Sequence, residues 1–195
     1  MSTQATVAGL ERRKPGAYQT VRLDTTDAAG QIVCSTWYGT LFRGVPVEGL
    51  DIIPDDVPSK LAGASPDKEV ESSTVMAISP GAAHVYTECA RIWNPIHTDT
   101  AVAKASGLPG LILHGTATLA HGISQVISRV SGAGPGQVRR VSARFGAMVL
   151  MPSEVTINIF SGEVKKDETI VGFEVLTEDG KQAVRDGAVV FETKA

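Results

Sequence analysis

The stretch Arg91 to Asp99, RIWNPIHTD, sets a histidine in a tight Asn-Pro turn just where a helix should stop. Imidazole is the side chain whose ordinary titration range suits proton transfer near neutrality, so His97 reads as a general base. Downstream, ILHG brings His114 and Gly115 to the start of a long helical pattern. A backbone N–H in the first turn of a helix lacks a carbonyl partner and lies at the positive end of the helix dipole. The N–H of Gly115 could therefore hold a carbonyl oxygen as negative charge develops on it. A base and an oxyanion donor suit proton transfer beside a carbonyl, but no acid accompanies them. Asp99 is better placed as the N-cap of the next helix.

The elements that must position these groups follow from local pattern. YQTVRLDTT and QIVCSTWYGTLFR are rich in β-branched and aromatic residues and flank a turn from Asp27 to Gly30, which predicts a hairpin. A Pro/Gly-rich stretch with Pro46, Pro54, Pro58 and Pro66 then reads as a linker, so residues 1–71 form an N-terminal extension and 72–195 a domain. STVMAIS predicts a strand. Ser79 as N-cap and Pro80 at the first helical position predict a helix running to about Ile92, ended by Asn94-Pro95. Asp99 should cap a short helix closed by Gly107 and Pro109.

From His114 and Gly115 a longer helix carries Leu119, Ile123, Val126, Ile127 and Val130 at helical spacing. Small residues at Gly115, Ala117, Ala120 and Gly122 favour close packing on a sheet, and SGAGPG ends the helix. The remainder, QVRRVSARFGAMVLM onward, alternates as antiparallel strands. The fold class is α+β, with the long helix packed across one curved antiparallel sheet. The terminal unit around TEDG and the early hairpin share a plan of strand, Gly-ended turn and longer strand, an internal echo.

WNPIHTD followed by ILHG resembles the MaoC-like family of (R)-specific enoyl-CoA hydratases and dehydratases, which have the hot-dog fold. The family motif Asp-x-Asn-Pro-Ile/Leu-His-x-Asp is matched at Asn94, Pro95, Ile96, His97 and Asp99, and a His-Gly opens the family's central helix. The resemblance covers roughly residues 72–195 and implies that the early hairpin is the surviving end of a first hot-dog. It also implies His97 as base and Gly115 as oxyanion donor.

Two departures stand out. The motif aspartate, which works with the histidine on water, is replaced by Ile92, and the helix serine falls by counting at Ile123, with Ser124 adjacent. Paired isoleucines suggest a pocket relined to be dry. His84, Glu88 and Ile92 at i, i+4 and i+8 put the Glu88 carboxylate a turn, about 5 Å, short of the vacant slot. His114 and His121 read first as structural, with His114 and Asn94 held as further site candidates. Tyr86 and Trp93 read as core or interface aromatics. No third ligand joins His84 and Glu88, so no metal is expected.

Composition bounds the partners. With 195 residues, 43% apolar, and a net charge of −3, the chain can bury one sizeable core and has no basic surface of the kind that nucleic acid or an anionic membrane would need. Arg91, Lys104, Arg139, Arg140 and Arg144 remain available for a coenzyme phosphate. Cys34 and Cys89, in segments read as core, argue for free thiols in a reducing compartment. Without a signal-like or membrane-length apolar run, a cytoplasmic protein is expected.

The resemblance implies a lyase acting on an acyl thioester, carried by CoA or by a carrier's phosphopantetheine, with no cofactor. The expected assembly is a homodimer, with a heterodimer with a related hot-dog subunit as the variant. Without the motif acid, a non-catalytic partner subunit or a single-base isomerisation or cyclisation enzyme are the alternatives.

Overall fold

The computed structural model describes residues 1–61, 69–130, 134–165 and 167–192. The linker around Pro66 and the Ser131 to Ala133 part of the helix-ending stretch lie outside the described residues. The chain forms two compact units, Met1–Ser59 and Lys60–Ala195.

The first unit is an antiparallel sheet of β1 (Ser2–Arg13), β2 (Gly16–Thr26) and β3 (Ile32–Arg43), in that order. The expected hairpin is β2–β3. β1 has no counterpart in the sequence reading, because STQATVAGLERR mixes Ala, Gln, Gly and terminal charges and has little strand propensity of its own. It extends because β2 offers a ladder, from Ser2 opposite Thr26 to Arg13 opposite Gly16. The Pro-rich segment that follows is tied back where Leu10 and Ile52 exchange two backbone hydrogen bonds of 2.9 Å. Cys34, expected in a core, lies exposed on β3, an edge strand.

In the second unit, β4 (Val70–Ile78), β5 (Val138–Phe145), β6 (Ser153–Phe160), β8 (Glu168–Thr177) and β9 (Gln182–Glu192) form an antiparallel sheet in the order β4-β6-β8-β9-β5, and β7 (Glu163–Lys165) adds to β8. Between β4 and β5 lie helices α1 (Ala82–Ala90), α2 (Thr100–Ala105) and α3 (Gly115–Arg129). α3 is the long helix that the sheet wraps, giving the hot-dog arrangement. Val126 of α3 and Val155, Ile157, Phe173, Val175, Val184 and Val189 of the sheet are the largest fully buried side chains among the described residues, and Leu119, Ile123, Ile127 and Val130 pack against this core.

Close approach depends on Gly122. A Cβ there would stand 2.5 Å from Cε2 of Phe173 and 3.3 Å from Cγ2 of Val175, inside ordinary carbon contact. Ala117 is likewise buried, and an added Cβ on Gly115, though that residue is exposed, would stand 3.1 Å from Cδ1 of Phe145 on β5, whereas Ala120 is exposed.

The two hairpins of the internal echo share a turn. Asp27 N–H bonds the Gln31 carbonyl at 3.0 Å and Gly30 N–H that of Asp27 at 3.2 Å; Thr177 to Lys181 and Gly180 to Thr177 repeat the pattern at 2.8 Å each. Gly30 and Gly180 have φ of 79° and 76°, values that glycine reaches without penalty.

Three local expectations need correction. α1 starts at Ala82 with Gly81 as N-cap, so Ser79 and Pro80 precede the helix, Ser79 contributing a turn carbonyl to the Ala82 N–H at 3.1 Å. The helix stops at Ala90 because Arg91 turns left-handed (φ 56°) and both Arg91 and Ile92 donate to the Thr87 carbonyl. Ile92 therefore lies off the helix, and Cys89 is exposed rather than core. Finally, β5 ends at Phe145, and the chain beyond crosses to pair Leu150 with Ile112.

Candidate active site

His97 sits in a one-turn 3-10 segment, Pro95–His97, whose geometry is local. The Asn94 side chain accepts from Ile96 N–H at 3.4 Å, and the Pro95 carbonyl accepts from Asp99 N–H at 2.8 Å. Asp99 then caps α2, its Oδ1 accepting from Ala101 N–H at 2.7 Å and Val102 N–H at 3.2 Å, as the sequence predicts. Asn94 thus serves its own turn.

The ring of His97 is half-buried, with Nδ1 2.8 Å from the carbonyl oxygen of Ile112. A carbonyl only accepts, so Nδ1 carries the hydrogen and Nε2 keeps the lone pair, the tautomer a base needs. Ile112 is itself fixed, because the 111–113 segment is pinned to 149–151 by Leu113 N–H to Val149 and Met151 N–H to Leu111 bonds of 2.8 and 3.0 Å.

Beneath His97 lies His114, 2% exposed. The two rings stack with centroids 3.7 Å apart and planes 22° from parallel. His114 Nε2 is 3.3 Å from the Ile92 carbonyl and 3.4 Å from Thr87 Oγ1, and Tyr86 lies against the ring at 5.0 Å. Its Nδ1 is buried without a hydrogen-bond partner among the described residues. Burial lowers the pKa of this imidazole; the charge of His97 acts in the same direction, and the bond to the Ile92 carbonyl opposes them. His114 is thus held neutral.

Gly115 follows as the first residue of the 15-residue α3, exposed at its N-terminus. The helical ladder begins with Ala117 N–H on the His114 carbonyl at 3.0 Å, so the N–H groups of Gly115 and Thr116 are the orphan donors of the helix start. A Cβ at Gly115 would meet Cδ1 of Phe145 at 3.1 Å, which marks how closely the end of β5 walls this N-terminus.

The structure brings His97, His114, Gly115 and the backbone of Ile92 together, and leaves three candidates elsewhere. Glu88 is exposed on α1, its carboxylate 3.4 Å from Trp93 Nε1, and with α1 ended at Ala90 the stripe it was to share with Ile92 is broken. Ile123 packs on the core and lines an apolar groove of about 330 Å³ with Ala120, Ser124, Ile127, Ser128 and Pro135. Ile92, 41% exposed, does not line that groove, so the two isoleucines form no shared dry lining. Of the aromatics, Tyr86 packs on the core while Trp93 is 65% exposed. Among the basic residues, Arg139 pairs with Glu192 and Arg144 with Asp186.

The sequence reading missed Thr87, Ile112 and Phe145, which reach the site through contacts no local pattern announces.

The sequence model of a family described as MaoC like domain matches residues 62–182. Over 65 residues, 33% of the chain, it is 40% identical to enoyl-CoA hydratase 2, peroxisomal, of Arabidopsis thaliana. Over 98 residues, 50% of the chain, it is 32% identical to 3-hydroxyacyl-thioester dehydratase X of Mycobacterium tuberculosis. These stretches amount to 21% and 33% of the relatives' own lengths. In three dimensions, a MaoC-like dehydratase from Phytophthora capsici superposes on 99% of the chain with a TM-score of 0.84 at 18% identity, using 65% of its own chain.

Proposed function

Because the chain belongs to the MaoC-like family, we propose that it is a lyase that adds water to, or removes it from, the Cα–Cβ bond of an acyl thioester, with His97 as general base and the Gly115 N–H holding the thioester oxygen. The observation that carries this reading is the fixed tautomer of His97: with Nδ1–H on the Ile112 carbonyl, the free lone pair is at Nε2. In the dehydration direction Nε2 takes the Cα proton while the Gly115 N–H stabilises the negative charge that moves onto the thioester oxygen. The same proton then passes from the imidazolium to the departing hydroxyl, which leaves as water. One histidine serves both steps, since no carboxylate occupies position 92.

Each well-placed proton-transfer group contributes about 10²–10⁴-fold, so the absence of the motif acid slows this chemistry without abolishing it. The acyl group is carried by CoA or a carrier's phosphopantetheine, and no further cofactor is required. We place the protein in the cytoplasm as a homodimer and read its three-stranded unit as part of a first hot-dog. Exposed Trp93 beside the site favours a second reading, in which a related subunit covers this surface and this chain shapes the pocket.

The test is loss of the enoyl-thioester absorbance of crotonyl-CoA with the native chain and with Ile92→Asp. Measurable native turnover that Ile92→Asp speeds by up to about 10²-fold supports the reading. Activity in Ile92→Asp alone replaces it with single-base isomerisation or cyclisation as the natural reaction, and silence from both replaces it with the partner-subunit reading.

A further inference from the structure

We infer that His114 is a positioning residue, one buried ring that sets the relation between the base His97 and the oxyanion donor Gly115; the inference rests on the roles proposed for those two residues. The backbone of His114 runs directly into Gly115 as the N-cap of α3, and its side chain underlies His97. The two proposed catalytic groups, 18 positions apart in sequence, thereby meet through a single residue.

The ring of His114 is itself held from several directions. The Ile92 carbonyl only accepts, so Nε2 of His114 carries the hydrogen and donates to it at 3.3 Å, with Thr87 Oγ1 at 3.4 Å and Tyr86 against the ring. The base needs this support. A single hydrogen bond from Nδ1 to Ile112 leaves an imidazole free to swing about that bond. The 3.7 Å stack on a buried, tethered ring removes the swing and fixes the direction of the Nε2 lone pair.

Both anchors of His97 come from one short segment, the Ile112 carbonyl and the His114 ring, and that segment continues into the helix start. The arrangement also gives position 92 a role that survives loss of the aspartate. Ile92 contributes its main-chain carbonyl, which any side chain would leave in place.

The test reads His97 itself. The chain has four histidines, and carbon-13 relaxation of their ring C–H groups, assigned with His97→Gln, reports how far the ring of His97 moves. The native protein should show the His97 ring held rigid on the ring of His114. His114→Gln keeps an N–H donor but removes the stacking face, and should leave the Nδ1–H bond to the Ile112 carbonyl while setting the His97 ring swinging about it, seen as a lower ring order parameter. On any thioester the native chain turns over, its kcat should fall about 10²-fold with KM unchanged, the scale of effect expected from a small misplacement of a reacting group. His114→Phe restores a ring beneath His97 and should restore the rigid His97 ring and most of kcat.

A His97 ring as rigid in His114→Gln as in the native protein, or as mobile in His114→Phe as in His114→Gln, would overturn the inference. Should His114→Gln not fold, His114→Leu, which also removes the aromatic face, takes its place in the same comparison. The measurement of ring motion needs no turnover, so a protein inactive on every thioester would sink the proposed function while leaving this assignment to its own result.

Discussion

Replacing Gly122 with alanine should destabilise the fold even though alanine is the better helix former. The new Cβ would stand 2.5 and 2.8 Å from Cε2 and Cδ2 of Phe173, where carbon atoms prefer about 3.5–4.0 Å. The ring cannot retreat. It is fully buried, and on its other edge Cδ1 and Cε1 lie 2.9 Å from where a Cβ of Gly187 would be, so two glycines form the slot that holds it. The helix must therefore lift by about 1 Å, the shortfall against that contact distance. Overpacking of this kind costs about 1–3 kcal/mol, against a gain of about 1 kcal/mol for alanine over glycine in a helix.

With the ring trapped on both edges the cost falls in the upper part of that range, about 2–3 kcal/mol, and a net loss of about 1–2 kcal/mol follows. In a chain of this size each kcal/mol moves Tm by about 2–4 °C, so thermal unfolding followed by circular dichroism should show a drop of about 2–8 °C. Ser124→Ala, on the exposed face of the same helix, should stay within about 0.5 kcal/mol of native. An unchanged or raised Tm in Gly122→Ala would refute the reasoning, because it would mean that the helix has slack over the sheet.

Further outcomes follow from the same geometry. Asp99→Ala removes two cap bonds and should cost about 1 kcal/mol, seen as faster hydrogen exchange at Ala101 and Val102; unchanged protection there would contradict the cap. His114 and His121 are both held neutral by burial, with pKa values lowered from the ordinary imidazole range. A group whose folded pKa is depressed contributes stability that is fully present above its unfolded pKa, near 6.5, and is lost as pH falls through the folded value. Tm should accordingly decline as pH is lowered from about 7.5 to 5, and His121→Gln should flatten part of that decline; an identical slope in the variant would remove His121 from the account. Glu88→Gln should lose less than tenfold in turnover, because a true proton-transfer group would cost about 10²–10⁴-fold. A loss in that larger range would return Glu88 to the site.

What the sequence made legible was whatever local chemistry decides. The Asn94-Pro95 turn, the Asp99 cap and the apolar stripe of α3 all stand where their residue types put them, since caps, proline restrictions and helical periodicity act over a few residues. A helix across a curved antiparallel sheet followed from that stripe and the alternating strands, and the hot-dog fold from the family resemblance that the motif carries. Elements that depend on partners were not legible. β1 is a strand through its ladder with β2, and α1 ends early through the left-handed Arg91, an uncommon conformation for a non-glycine residue. Cys34 and Cys89 are apolar enough to read as core but fall on an edge strand and on the exposed side of α1. The His97–His114 stack spans 17 positions of sequence, and nothing in either residue's neighbourhood predicts that the rings should meet.

The measurement that bears most directly on the central claim is the rate of absorbance loss from crotonyl-CoA with the native protein beside His97→Gln, both with matching circular dichroism spectra. A native rate that falls about 10²–10⁴-fold in His97→Gln is the predicted result, because the variant removes the base and leaves the Gly115 N–H in place. Equal rates in the two proteins, or a native chain that leaves the absorbance unchanged, would contradict the assignment of His97 as the base of an acyl-thioester lyase.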